Sequence, residues 1–105
     1  MGYEAVLDAL GDPTRRRILE RLRLGPLPVG DVAAGLPVSR PAVSKHLRVL
    51  EGAGLVTYEA SGTRHLYRID ADGLAALRAW VEGFWGVALA GFADHVSKQQ
   101  EGETP

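Results

Sequence analysis

Apolar residues recur along this 105-residue chain at spacings of three and four over most of its length, and at a spacing of two over one stretch. That pattern predicts helices with one small β element. Tyr3, Val6, Leu7 and Leu10 line one face of a short helix that Gly11 ends. Asp12 is then placed to cap a second helix whose first residue is Pro13, where a missing amide hydrogen costs nothing. Ile18, Leu19 and Leu22 make its buried stripe, and Gly25, Pro26 and Pro28 stop it. A third, short helix over residues 29–35 offers Val32, Ala33 and Leu36 to the core. Ser39 caps a fourth, with Pro41 in its first turn and Val43, Leu47 and Leu50 pointing inward, and Gly52 and Gly54 end it.

The outer face of that fourth helix carries Arg40, Ser44, Lys45 and Arg48. Two short helices, a tight connection and a second helix with a basic outer face constitute a helix-turn-helix pattern. Residues 55–60 and 64–69 follow as β-prone runs joined by Ser61-Gly62-Thr63, a hairpin with Tyr67 and Ile69 inward and Arg64 and Arg68 on the other face. Asp70 or Asp72 then caps a long helix over residues 73–97, in which Leu74, Leu77, Val81, Phe84, Ala88 and Phe92 recur at spacings of 3, 4, 3, 4 and 4. Unbroken, it is about 37 Å long. With Trp80 and Trp85 beside the stripe it is too apolar for a chain of this size to cover, so a second subunit is expected against it. Gly83, Gly86 and Gly91 each cost about 1 kcal/mol relative to Ala, and they either permit close helix approach or bend the helix near Gly86. The expected fold is mainly α with a small β-hairpin: one domain over residues 1–97, followed by a flexible tail over 98–105.

Charge changes the picture only when it is divided. Twelve bases against 13 acids give a net charge of -1, which at face value argues against a polyanionic partner. Residues 1–11 carry -2 and residues 69–105 carry -4, but residues 12–68 carry +5, ten bases against five acids. A local anion-binding surface on an otherwise acidic molecule has this distribution. There is no cysteine, which removes disulfides, thiolate metal sites and a cysteine nucleophile. The opening MGYEAVLDAL has neither a basic start nor a long apolar run, and the longest uncharged stretch, residues 83–93, falls short of the roughly 18 residues of a membrane span. A cytoplasmic protein without a membrane partner is expected.

The runs ALGDPTRRRILERL, VSRPAVSKHLRVLEGAGLV and GTRHLYRID resemble, over most of the chain, the ArsR-type family of small winged helix-turn-helix repressors named for arsenical resistance. The resemblance implies a homodimer built on the first and last helices, with Tyr3, Val6, Leu7, Leu10, Leu77, Trp80, Val81, Phe84, Trp85, Ala88 and Phe92 at the interface. It also implies recognition helices in successive major grooves of a pseudo-palindromic double-stranded DNA operator. Carried over by position, the recognition residues are Ser39, Arg40, Pro41, Ser44, Lys45, His46 and Arg48, and the wing residues are Thr63, Arg64 and His65. Arginine reads guanine bidentately, whereas lysine and serine more often hold phosphate.

Many members of the family release DNA on binding a metal, and neither familiar site is present in this sequence. A cysteine pair on the third helix is replaced by Leu27, Pro28, Val29, Gly30 and Asp31. The Asp-x-His pair of the last helix is replaced by adjacent Asp94 and His95, about 100° apart around a helix and poorly placed for one ion. No metal or cofactor is therefore expected, and no effector is written in the sequence. Catalysis is not expected either: in the one tempting set, Ser44, Lys45 and His46, residues two apart point about 200° from each other. Arg15, Arg16, Arg17 and Arg21 read as a solvated helix face balanced by Asp12 and Glu20, and His46 and His65 as either supports or DNA contacts. The competing functional class is a winged helix used for protein contact or small-ligand sensing, against which the +5 middle segment counts.

Overall fold

The computed structural model describes the backbone of residues 3–103 and the side chains of residues 4–96. Its elements run α1 (Tyr3–Leu10), α2 (Pro13–Leu22), β1 (Leu27–Pro28), α3 (Val29–Ala34), α4 (Arg40–Gly52), β2 (Val56–Ser61), β3 (Arg64–Ile69) and α5 (Ala71–Glu103). Helix starts follow local chemistry. The Asp12 carboxylate accepts from the Thr14 amide at 2.7 Å and the Arg15 amide at 3.3 Å, with Pro13 beside it in the first turn. Ser39 Oγ accepts from the Ala42 amide at 3.2 Å. Of the two candidate caps for the last helix, Asp70 is the one used: its carboxylate accepts from the Asp72 amide at 3.0 Å.

Val6, Ala9, Ile18, Leu22, Val32, Val43, Leu47, Leu50, Ala53, Leu55 and Val56 form one core. No polar side chain among the described residues is buried in it. Each large member stabilises the fold by about 1.5–3 kcal/mol relative to exposure. Tyr67 and Ile69 pack on this core from β3, as the alternation along the hairpin predicts, and Leu74 and Leu77 do so from α5. Val6, expected at a subunit interface, is only 2% exposed within the single chain and belongs to its own core.

Three further features differ from expectation. The sheet has three strands in the order β1-β3-β2, because Leu27 and Pro28 pair antiparallel with Tyr67 and Leu66. The hairpin loop is one residue shorter than read, since Ser61 pairs with Arg64 and leaves Gly62-Thr63 as the turn. Gly62 supplies the positive φ of 62° that a two-residue loop with Gly first needs. The last helix is longer than 73–97 at both ends and its 33 residues run through Gly83, Gly86 and Gly91 without interruption. At 1.5 Å per residue it spans about 50 Å, most of it beyond the body of the domain. The segment read as a tail from residue 98 lies outside the described side chains, although the helical backbone continues to Glu103.

Candidate nucleic-acid interface

Helix α4 is held by one face and free on the other. Val43, Leu47 and Leu50 are fully buried, which fixes its rotation. Arg40, Pro41, Lys45 and Arg48 are consequently exposed, and the Ser39 cap fixes where the helix begins. Ser44 and His46, both half-buried, fall on opposite flanks. Ser44 lines a cleft toward the hairpin, while His46 Nδ1 lies 3.5 Å from Nη1 of Arg15 on the side of α2. Ser44 and His46 are therefore not brought together, as the helical spacing requires.

The cleft beside Ser44 has a volume of about 530 Å³ and is open to solvent. It is lined by Arg40 and Ser44 of α4, by Thr63, Arg64, His65 and Tyr67 of the hairpin, and by Pro28, Val29, Gly30 and Asp31 where β1 runs into α3. The sequence assigns the expected recognition and wing residues to two separate elements, and Arg40 and Ser44 of the first line one cleft with Thr63, Arg64 and His65 of the second. Ser39, Pro41, Lys45 and Arg48 lie on or beside the exposed face of α4, and only His46 turns away. His65 stacks on Tyr58 with ring centroids 4.7 Å apart, and Tyr58 packs against Tyr67 at 5.3 Å. This aromatic ladder stiffens the hairpin that carries Arg64. The sequence reading considers residues 28–31 as a site only for a metal and gives no sign that they line this cleft, because nothing in the local pattern says that β1 pairs with the hairpin.

The arginines of α2 do not form a uniformly solvated face. Arg15 Nε donates to the Ala9 carbonyl at 2.6 Å and Arg16 Nη1 to the Leu10 carbonyl at 2.7 Å, so both cap the end of α1. Arg21 Nη2 donates to the Asp31 carbonyl at 2.8 Å, and its guanidinium lies against Gly35, where a β-carbon would collide with it. Burial acts to raise the Asp12 carboxyl pKa. The amides of Thr14 and Arg15, with the charges of His46 and Arg15, outweigh it and hold the group below its ordinary value. Three of the ten bases of the middle segment are thus engaged with backbone carbonyls. Arg40 and Arg64 line the cleft, and Lys45 and Arg48 on α4 and Arg68 on β3 are exposed.

Comparison with known proteins agrees with this geometry. The helix-turn-helix domain family matches residues 10–59. The chain is 54% identical to the HTH-type transcriptional regulator Rv2034 of Mycobacterium tuberculosis, covering 87% of this chain and 85% of that protein. The chain belongs to the ArsR family. An ArsR-like transcriptional regulator from Rhodococcus superposes with a TM-score of 0.71 at 33% identity, covering 86% of this chain and 88% of the other. The homodimeric winged helix-turn-helix DNA-binding domain of Mb0332 from Mycobacterium bovis, a possible ArsR-family regulator, superposes at 0.64 with 32% identity over 78% of this chain and 76% of that one.

In this ArsR-family chain α3 and α4 form the helix-turn-helix, β2 and β3 form the wing, and the chain is a transcriptional regulator. Asp94 and His95 are both exposed on α5, and among the described residues no three His, Cys, Asp or Glu side chains cluster as a metal site would. No helix among the described residues is long and apolar enough to cross a membrane. Of the residues expected at a subunit interface, Leu7, Val81, Phe84, Trp85, Ala88 and Phe92 are exposed in the single chain. Trp80 is half-buried and stacks on Phe84 at 5.7 Å. Leu10 and Leu77 pack toward the core, and the side chain of Tyr3 lies outside the described residues.

Proposed function

We propose that this ArsR-family chain is a homodimeric, sequence-specific repressor that binds a pseudo-palindromic operator in the cytoplasm and works without a bound metal. The observation that carries the reading is one open cleft lined by Arg40 and Ser44 of α4 together with Thr63, Arg64 and His65 of the wing, with Lys45 and Arg48 exposed on α4 as well. A duplex whose major groove admits α4 brings its backbone against the wing, so these side chains meet phosphates and base edges together. Two such heads on one dimer read half-sites one helical turn apart, about 34 Å. Occupancy of that length of promoter obstructs transcription, which is the basis of the repressor assignment.

Dimerisation is supported by α5. Phe84, Trp85 and Phe92 are each about 60% exposed, and Val81 and Leu89 nearly half, on a helix that extends past its own core. An apolar surface of that extent is characteristic of a subunit interface. Metal independence is supported by the absence of cysteine in the sequence and by the separation of Asp94 from His95 around the helix.

Selection from a pool of random duplexes tests the reading. The expected result is a two-fold-related pair of half-sites whose binding weakens steeply with salt. No enriched sequence, or binding indifferent to salt, would overturn it in favour of a protein-contact module. Zn²⁺ added to the purified protein should change neither operator affinity nor melting temperature; a stoichiometric shift lost in His95→Ala would overturn metal independence.

A further inference from the structure

Arg15 touches three helices that the proposed function uses for different tasks. Its guanidinium donates to the Ala9 carbonyl at 2.6 Å and to the Asp8 carbonyl at 3.4 Å, both at the end of α1. It lies 3.8 Å from the carboxylate of Asp12, the cap of α2, and 3.5 Å from His46 Nδ1 on α4. The side chain is only 18% exposed, so it is not a surface arginine that happens to reach its neighbours. A planar guanidinium has five donors in a fixed fork and can serve all of these partners at once, which an ammonium on a flexible stem cannot.

The mechanical consequence follows from the lengths of the elements. Helix α1 has eight residues, too few to be stable alone, so its position is set by the packing of Val6 and Ala9 in the core and by what grips its end. Its described side chains divide between the core and solvent, and it packs against α5. Arg16 also grips α1, through the Leu10 carbonyl, but its bond ends there and reaches neither Asp12 nor α4. Arg15 alone among the described bases joins the end of α1 to a side chain of the recognition helix.

We propose that Arg15 is a positioning residue for operator recognition, holding α4 at a set place relative to α1 and so fixing the distance between the two recognition helices of the dimer. This rests on the homodimeric, operator-binding reading above. In the single chain the role is to keep α4 and α1 as one body. In the dimer it makes the protein selective for one half-site spacing, because a loosened α4 reaches half-sites that are displaced by a base pair.

The test compares Arg15→Gln with Arg16→Gln in the full-length protein, using the operator found by selection, a single half-site duplex, and operators with one base pair added or removed between half-sites. Wild-type protein should discriminate sharply against the altered spacings. Arg15→Gln should lose about tenfold in affinity for the intact operator and most of that discrimination, while remaining dimeric and binding the half-site as the wild type does. Arg16→Gln should keep the spacing preference. His46→Gln should add little to the effect of Arg15→Gln, as expected of partners in one interaction. Equal losses on operator and half-site, or the same loss of discrimination in Arg16→Gln, would overturn the positioning role while leaving operator binding intact. Failure of the wild type to select any duplex would instead overturn the DNA-binding reading, and this inference with it.

Discussion

The α-carbon of Gly73 packs against the carbonyl oxygen of Gly54, so closely that a β-carbon at position 73 would overlap that backbone atom. Gly54 is itself held at a φ of 79° in the turn after α4. Beside this contact the Asp70 amide donates to the Leu55 carbonyl at 2.8 Å. The first turn of the long helix is therefore seated on the turn that ends α4 by backbone atoms, which cannot yield as a side chain would.

Two glycine substitutions should accordingly have opposite signs. Gly73→Ala should destabilise the protein by roughly 1–3 kcal/mol despite the better helix propensity of Ala, because overpacking against backbone forces a shift. Gly52→Ala, at the open end of α4 where nothing lies within 4 Å of a new β-carbon, should stabilise by about 0.5–1 kcal/mol. Urea unfolding of both variants measures the difference.

Arg48→Ala and Arg64→Ala should weaken operator binding without affecting assembly. Each removes an exposed base, from α4 and from the wing respectively, so the slope of log affinity against log salt should become shallower by about 0.9 for each phosphate the protein ceases to neutralise. A variant that binds more weakly at an unchanged salt slope has instead given up a hydrogen bond to a base edge. Fluorescence anisotropy over a salt series separates the two.

The pH profile of stability has a worked sign at both ends. The folded state holds the Asp12 carboxyl below its ordinary value of 3.8. The stability it contributes is complete above that value and is lost as pH falls toward the lower folded value. Tyr67 is the reverse. Burial, with the nearby Glu51 and Tyr58, raises its hydroxyl above the ordinary 10.0, against the opposing charge of Arg48. Its contribution is complete below pH 10 and is lost as pH rises through the higher folded value. Asp12→Ala should flatten the acid limb and Tyr67→Phe the alkaline limb in melting curves taken across the range.

Phe84→Glu combined with Phe92→Glu should separate the subunits while leaving the domain folded. Both side chains are about 60% or more exposed in the single chain and neither is part of its core. Sedimentation velocity should show a monomer, near-native melting of the core should persist, and affinity should fall further for the intact operator than for one half-site. Loss of folding in this variant would place these residues in the chain's own core.

Much of this protein is written locally in its sequence. The Asp12 and Ser39 caps, the inward stripes of α2 and α4, the outward Arg40, Lys45 and Arg48, and the pairing of two strands around Gly62 all follow from dihedral preference and residue spacing within a few positions. What tertiary structure decided involves groups distant along the chain. Leu27-Pro28 has no strand periodicity and becomes a strand only because β3 arrives beside it and offers hydrogen bonds. Val6 looked like one more member of an exposed stripe until packing buried it. The charge count is the sharpest case: sequence alone located +5 between residues 12 and 68. Only the fold separates Arg15, Arg16 and Arg21, whose guanidiniums donate to carbonyls at the ends and turns of neighbouring helices, from Arg40, Lys45, Arg48 and Arg64, which are exposed on α4 and the wing. A guanidinium carries the same charge in either place, and which partner it finds depends on which unsatisfied carbonyls the folded chain brings within reach.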